Sequence, residues 1–402
     1  MNDTSAATAA SASRQNLDGR HIPGVTAMVP RERMTQAARK LRDIYALTPG
    51  APFYRKEFGW FTLDRWKREG HIDDGTDLDE LFGFDGPAKH SLGQLGWCEA
   101  AFHPAFEEKV IEDRGDHEVV QDCAGRHVLF FKGRRSGFMP TYLDHPVKDR
   151  RTWEKDVKWR LDPTSSSRSL NLEQRMEAAR ADAAKGFMVT QNVIGGYMYL
   201  RSLMGPEQIL FAFYDMPDLV HDCMNTWFEL ADTVTTLHQE YVTIEELYFG
   251  EDICFNHGPL ISPDMMREFI LPYYQQLATN TRRRQIDRTR HLYLQIDTDG
   301  YAVPVIPIYR EVGMDVMSPF EVAAGCDVVK VGREYPDLVM SGGIDKRVLA
   351  EGKDAIDRHL GYILPAMRRR GGYYPTCDHG VPEEVSYENY LHYRQRCVEL
   401  GG

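Results

Sequence analysis

The chain has 402 residues, of which 42% are hydrophobic, and its 60 acidic and 48 basic side chains give a formal net charge of −12. This length and apolar content suit a large enzyme domain, and the negative charge argues against binding nucleic acid or anionic membranes through the bulk surface. No apolar run approaches the roughly 18 residues that a membrane-spanning helix needs. The seven scattered cysteines include no C-x-x-C pair, which indicates a reduced, cytoplasmic protein.

The N-terminal part of the chain contains two distinguishable segments before its regular pattern begins. Residues 1–28 are small and polar and lack the apolar core of a signal peptide, so they are predicted to form a disordered tail. Residues 106–132 alternate in short apolar runs with Gly and Asp between them, which predicts a small antiparallel β insertion. Residues 29–402 are otherwise expected to form a single domain with an N-terminal extension.

From about residue 170, predicted helices alternate with short apolar runs. The predicted helices span residues 171–184, 216–242, 263–283, 303–312, 323–334 and 352–369, and a final helix covers residues 386–398. Such alternation is typical of βαβ units, and six units predict an α/β fold of the (β/α)8 TIM-barrel type. A doubly wound sheet is the alternative, but no G-x-G-x-x-G fingerprint follows the first strand, so no nucleotide cofactor is expected.

Polar residues follow each of the six apolar runs, where a barrel carries its catalytic groups. Any one of these residues could instead cap the next helix. The polar strand ends are Gln191 and Asn192, Glu251 and Asp252, Asp297 and Asp299, Glu321, Asp345 and Lys346, and finally Cys377, Asp378 and His379. From this set we select Asp297, His379, Glu251 and Lys346 as candidate catalytic residues. The candidate substrate-binding residues are Gln191, Asn192, Glu321 and Tyr374.

Asp297 and Asp299 are the most informative pair. Residues two apart on a strand face the same side, and converging carboxylates repel, which raises one pKa unless a cation lies between them. The pair therefore indicates a metal site, a shared proton or a hydrogen-bond clamp for the substrate. The alternative is that Asp299 and Gly300 form a turn and only Asp297 points inward, because D-G is a strong turn signal.

Several stretches of the chain resemble the uroporphyrinogen decarboxylase superfamily. GEDICFNHGPLISPDMMREFILPYY, SGGIDKRVLAEGKDAI and GGYYPTCDHGVPEEVSYENY carry the resemblance, together with VPRERMTQAAR and RSLMGPEQILFAFYDMPDLV. The resemblance covers most of residues 30–400 and implies a (β/α)8 barrel that is often a homodimer. The R-Q-A-G-R loop of the haem-pathway decarboxylases is absent, since the corresponding region is FYRKEFGWFTLDRW.

The superfamily also includes zinc methyltransferases, which use an H-x-C-G motif and a Cys at the end of the last strand. In this register Asp297 replaces the His, Asp299 replaces the first Cys, and Cys377 matches the last Cys. The resemblance thus makes Asp297, Asp299 and Cys377 the candidate ligands of zinc or another divalent metal. Two carboxylates are harder ligands than the His and Cys that they replace, so the site would activate a thiolate less well. This puts coenzyme M-type chemistry in doubt.

The resemblance leaves open a corrinoid-linked methyltransferase that demethylates a small methylated substrate. The chain has no D-x-H-x-x-G signature of its own, so a corrinoid-binding partner protein would supply that cofactor. The alternative is a cofactor-free decarboxylase acting on another carboxylic acid, with Lys346 and arginines binding its carboxylates. A third alternative is a binding protein that kept the barrel without the chemistry, and the polar strand ends argue against it.

Overall fold

A computed structural model describes residues 28–135 and 140–402, so the predicted tail lies outside the described residues except for Met28. The strands are β1 (Lys89–Leu92), β2 (Lys109–Arg114), β3 (His117–Gln121), β4 (His127–Phe131), β5 (Thr141–Asp144), β6 (Met188–Ile194), β7 (Glu246–Gly250), β8 (Cys254–Phe255), β9 (Gly258–Pro259), β10 (Tyr293–Asp297), β11 (Val316–Ser318), β12 (Val339–Ser341) and β13 (Tyr373–Tyr374).

The helices are α1 (Gln36–Tyr45), α2 (Leu63–Arg68), α3 (Leu78–Phe82), α4 (Arg150–Thr152), α5 (Leu172–Ala183), α6 (Gly196–Met204), α7 (Gln208–Asp215), α8 (Pro217–Gln239), α9 (Pro263–Phe269), α10 (Leu271–Arg284), α11 (Ile306–Arg310), α12 (Val328–Glu334), α13 (Lys353–Arg370) and α14 (Tyr387–Gly401). The single helix predicted over residues 263–283 is two helices, α9 and α10. Pro272 lies in the first turn of α10, where its missing N–H is tolerated, and so marks a new helix start.

The chain divides into two compact units. Among the described residues, unit 1 comprises residues 28–34, Lys89–Gly250 and Asp264–Tyr293, whereas unit 2 comprises Thr35–Ala88, Glu251–Pro263 and Leu294–Gly402. The expectation of a single domain over residues 29–402 stays a prediction.

Unit 1 contains a parallel and an antiparallel set of strands. β1 pairs in parallel with β6, and β6 pairs in parallel with β7, so that Thr190 lies beside Glu246. The strands β2 to β5 form an antiparallel sheet in chain order. The antiparallel strands expected over residues 106–132 are therefore present, and the sheet continues to Asp144.

A stack of three aromatic rings lies in the interior of unit 1. The rings of Phe249 and Tyr274 lie 4.2 Å apart and nearly parallel, and Trp227 stacks on Tyr274 at 5.4 Å. The Tyr274 hydroxyl accepts a hydrogen bond from the Gly196 N–H at 2.6 Å, so this buried polar group is satisfied. The stack joins β7, α8 and α10 into one core.

Unit 2 contains four neighbouring parallel strands, β10, β11, β12 and β13, joined by helical connections. In this register Asp297 lies beside Ser318 at the carboxyl ends of β10 and β11. Buried Trp66 packs against Phe82 and Tyr390, and its ring N–H donates to the Val385 carbonyl at 3.0 Å. This packing attaches α2 and α3 to the last helix, α14.

Parallel strands that alternate with helices give the chain the α/β fold that the sequence predicts. The closure of eight strands into a complete barrel stays a prediction. Over residues 28–135 and 140–402, no helix combines the length and apolar character needed to cross a membrane.

Candidate functional site

The candidate site of unit 2 is built on the residues that follow its parallel strands. Asp297 is the last residue of β10, and the Ser318 hydroxyl at the end of β11 donates a hydrogen bond to its carboxylate. The Gln295 side-chain amide donates to the same Ser318 hydroxyl at 2.9 Å. One oxygen of Asp297 is thus held in a fixed position by the neighbouring strand.

Asp299 lies among charged neighbours that we call the Asp299 cluster: Asp252, Asp297, Asp299, Glu321 and Lys346. Burial is the largest cause, and together with the three neighbouring carboxylates it raises the pKa of Asp299 to about 7, whereas Lys346 opposes the shift. Near neutral pH the Asp299 carboxyl is therefore poised to give up or take a proton. This is the behaviour of a general acid or base.

Gly300 turns the chain directly after Asp299. Its φ of 78° lies in the left-handed region, and its N–H donates to a Glu321 oxygen at 2.8 Å. The sequence offered a turn and a converging carboxylate pair as alternatives; the structure contains the turn, and the Asp297 charge acts on the Asp299 carboxyl. The turn at Gly300 brings Glu321 to the Asp299 cluster.

Replacing Gly300 with alanine is expected to destabilise the fold by about 1–3 kcal/mol, because the new Cβ would need a positive φ. That Cβ would also lie 2.7 Å from the Phe255 carbonyl oxygen, which is a backbone atom and cannot rotate away. Urea denaturation of both proteins measures the loss. Gly361→Ala is the matched control, since Gly361 lies within α13 with open space around it and should gain stability. Equal stability of Gly300→Ala and wild type would contradict the prediction.

Lys346 forms ion pairs with two carboxylates. Its ammonium group lies 3.3 Å from a Glu321 oxygen and 3.5 Å from an Asp378 oxygen. The Asp378 carboxylate is fully buried and also accepts the backbone N–H groups of Val322 and Lys346 at 2.9 Å and 3.3 Å. Burial raises the pKa of Asp378, and Lys346 opposes that shift. Asp378 is therefore the anchor that fixes Lys346.

His379 contacts two aromatic rings from the N-terminal part of unit 2. The Phe58 ring lies 4.9 Å from the imidazole, and Phe61 stacks on it at 5.8 Å. Burial lowers the pKa of His379, and the positive charge of Lys346 lowers it further. The imidazole is thus neutral at neutral pH and can accept or donate a hydrogen bond.

Cys377 contacts Glu57 through its backbone. Its side chain is fully buried, and its backbone N–H donates to a Glu57 oxygen at 2.7 Å. Burial and the nearby Glu57 raise the pKa of the Cys377 thiol well above its usual range, so the thiolate that a metal requires is disfavoured. Consecutive residues of an extended segment point to opposite sides, which places Asp378 rather than Cys377 beside Lys346.

The donor set does not fit the metal centre that the family resemblance implies. No three His, Cys, Asp or Glu side chains within the described ranges are grouped as a metal ion would require. The protonated Cys377 thiol and the proton held by Asp299 both oppose coordination. A metal held by Asp297, Asp299 and Cys377 stays a prediction that elemental analysis of the purified protein would decide.

Two residues of this site were not among the selected candidates. Asp252, in the Asp299 cluster, has a φ of 45°, and the Thr298 hydroxyl accepts the next two backbone N–H groups, at 3.1 Å and 3.2 Å. Asp378 anchors Lys346. Both lie next to candidates that the sequence offered, Glu251 and Cys377. The side chains of consecutive residues in an extended chain point in alternate directions. This pattern was the signal in the sequence that could have selected Asp378.

The remaining candidates differ in their surroundings. Glu251 is fully buried, and its N–H donates to the Asp297 carbonyl at 2.8 Å. Tyr374 packs edge-on against Tyr54 at 5.9 Å. The catalytic role of Glu251 and the substrate-binding role of Tyr374 stay predictions.

Gln191 and Asn192 lie on β6 in unit 1. The buried Gln191 amide donates to three backbone carbonyls, and its oxygen accepts from His238 at 2.7 Å. The hydrogen-bonding groups of the Gln191 side chain are therefore all used by contacts within unit 1. The substrate-binding roles of both residues stay predictions.

Comparisons with solved structures include one with a similar fold and two with weaker likeness. The solved structure of a methyltransferase from Methanosarcina mazei matches with a TM-score of 0.54 and 14% identity, over 90% of this chain and 98% of that one. A putative vitamin-B12-independent methionine synthase from Listeria monocytogenes matches with a TM-score of 0.31 and 14% identity, over 56% of this chain and 68% of that one. Xylanase B from Clostridium stercorarium F9 matches with a TM-score of 0.31 and 9% identity, over 57% and 78%.

The sequence comparisons establish the family. No curated protein sequence matches the chain significantly. The family model described as uroporphyrinogen decarboxylase (URO-D) matches residues 145–399, which is more than half of the 402 residues. The matched range includes Asp299, Lys346 and His379. The chain therefore belongs to the uroporphyrinogen decarboxylase family.

Proposed function

We propose that this chain is a methyltransferase that moves a methyl group from a small methylated substrate to a corrinoid-binding partner protein. The observation that carries the proposal is the charge around Asp299, whose pKa is raised by the carboxyl groups of the Asp299 cluster and lowered by one ammonium group. This environment keeps a proton on Asp299 near neutral pH, as a general acid requires. The fold likeness to the Methanosarcina mazei methyltransferase supports the same reaction class.

The chemistry needs a proton at the leaving atom. When the methyl C–O or C–N bond of the substrate breaks, the electron pair stays on oxygen or nitrogen, which leaves poorly as an anion. The Asp299 carboxyl would donate its proton to that atom, so that a neutral alcohol or amine departs. A corrinoid bound by the partner supplies the nucleophile that accepts the methyl group.

The neighbours of Asp299 have supporting roles in this proposal. Lys346 limits the rise in the Asp299 pKa and is itself held by Asp378. Glu321 accepts from the Gly300 N–H and so fixes the turn that carries Asp299. His379, neutral and in contact with Phe58 and Phe61, offers a hydrogen bond and an apolar surface to the substrate.

The alternative is a cofactor-free decarboxylase acting on another carboxylic acid, and the name of the matching family favours it. A decarboxylase must attract a carboxylate to its site. Among the charged groups that act on Asp299, however, Lys346 is the cation and three are carboxylates. Because like charges repel, the cluster favours a neutral or cationic methylated substrate over an acid.

The two functions are separated by assaying both products. Purified protein is incubated with cob(I)alamin and a panel of methyl ethers and N-methylamines, and methylcobalamin is followed by its absorbance. Release of carbon dioxide from a panel of carboxylic acids is measured in parallel. We expect methyl transfer without carbon dioxide release. Carbon dioxide release without methyl transfer would overturn the proposal in favour of the decarboxylase. A homodimer and the corrinoid-binding partner also remain proposals.

A further inference from the structure

Unit 1 contains a cavity of about 330 Å³, and none of the residues that line it is part of the site described above. The residues around it precede the strands β6, β7 and β10 or lie in the segment 28–33. The lining residues include Arg33, Arg180 and Arg290, and the others are small or apolar: Met28, Val29, Pro30, Ala183, Ala184, Val242 and Thr243. The cavity therefore combines cationic side chains with an apolar wall.

One of the three arginines is already neutralised. The Arg290 side chain is only 6% exposed, and its guanidinium lies 3.3 Å from a Glu245 oxygen and 3.2 Å from an Asp287 oxygen. These two ion pairs fix Arg290 in the cavity wall. Arg290 therefore shapes the cavity without adding free positive charge.

Arg33 and Arg180 are different. In the part of the chain that the structure describes, neither guanidinium forms an ion pair. Arg180 is partly buried in the last turn of α5, and Arg33 ends the short helical turn Arg31–Arg33. Two guanidinium groups without counter-charges beside a cavity are available to bind an anion.

The rest of the wall restricts the kind of anion. Met28, Val29, Pro30 and Val242 offer hydrocarbon surface, whereas a small inorganic ion would leave that surface facing water. A ligand with one charged end and an apolar body would satisfy both halves of the cavity.

We propose that this cavity binds a small carboxylate with an apolar body, its carboxyl group held by Arg33 and Arg180. The site would be separate from the Asp299 cluster, and it does not depend on the proposed methyl transfer. Its ligand need not be a substrate.

Isothermal titration calorimetry of the full chain with sodium octanoate tests the proposal. Octanoate should bind once per chain, and Arg33→Gln and Arg180→Gln should each weaken binding about tenfold, since each removes a charge-assisted hydrogen bond. Arg151→Gln removes an exposed arginine outside the lining and should leave binding unchanged.

Two further probes test the charged part and the apolar part of the cavity separately. 1-Octanol carries the same apolar body without the charge, and inorganic phosphate carries charge without the apolar body, so both should bind more weakly than octanoate. Ala184→Leu narrows the cavity without changing its charge and should also weaken octanoate binding. Thermal unfolding establishes that each variant is folded. The proposal is overturned if octanoate fails to bind, if the two arginine variants bind it normally, or if octanol or phosphate binds equally well.

Discussion

Asp299→Asn is expected to slow methyl transfer by about 100- to 10,000-fold, the range that a general acid contributes. Asparagine is similar in size and can still donate a hydrogen bond, but it has no proton to give to a leaving atom. The single-turnover rate with cob(I)alamin and the best substrate of the panel measures the effect. Asp354→Asn, an exposed position in the first turn of α13, is the matched control and should react at the wild-type rate.

The pH profile distinguishes a proton donor from a residue that only shapes the site. Since the pKa of Asp299 is raised to about 7, the wild-type rate should fall as the pH rises through that value. The residual rate of Asp299→Asn should not show this step. A wild-type profile that is flat between about pH 6 and 8, or a fully active Asp299→Asn, would contradict the role of Asp299 as a general acid.

The same carboxyl links stability to pH. Its folded pKa of about 7 lies above its ordinary value of 3.8, so its contribution to stability is fully present below about pH 4 and is lost as the pH rises through 7. Asp299→Asn cannot ionise and escapes this loss. From about pH 4 to 8 the variant should gain about 2–4 kcal/mol relative to wild type, as measured by urea denaturation. A constant difference across this range would show that Asp299 ionises freely in the folded protein.

Glu57→Ala is expected to cost about 3–5 kcal/mol of folding free energy, because it leaves three hydrogen-bond donors without their acceptor and removes the negative charge that acts on buried Arg394. Glu57 is 4% exposed and accepts hydrogen bonds from the Phe58 and Cys377 N–H groups and from the Tyr390 hydroxyl. Burial raises the pKa of Glu57, whereas Arg394 and these three donors oppose the shift. Arg394 is itself 3% exposed and packs over the Phe84 ring.

Two other variants show how much of this loss comes from the charge of Glu57 and how much from its hydrogen bonds. Tyr390→Phe removes one hydrogen bond and should cost only about 1 kcal/mol. Glu57→Gln keeps a hydrogen-bond acceptor without the negative charge and should fall between the other two. Denaturant midpoints and slopes of all three proteins provide the comparison. If Glu57→Ala costs no more than Tyr390→Phe, the charge of Arg394 is satisfied elsewhere.

The sequence was informative wherever local chemistry decides the structure. The D-T-D-G segment offered the turn at Gly300 as one of two alternatives, and the turn is present because glycine permits positive φ. The alternation of helices and apolar runs predicted the α/β fold because each pattern has its own period.

The sequence was less informative where distant segments meet. Glu57 lies in a charged, aromatic stretch that gives no sign of burial, and only the folded chain brings it to Cys377, 320 positions away. Cys377 was preferred over Asp378 because the family comparison supplied a thiol ligand, although the strand end points the next residue towards Lys346. Pairings of this kind are tertiary and leave no periodic signal in the chain.

The aromatic pair beside His379 comes from a part of the chain outside the region that identifies the family. Phe58 and Phe61 are 48% and 60% exposed, and they lie outside residues 145–399, the range that the family model matches. The Asp299 cluster lies within that range, so the charges of the site and the aromatic surface beside them come from different parts of the chain. Exchanging residues 53–61 is therefore expected to change substrate selectivity and to leave the charges of the Asp299 cluster in place.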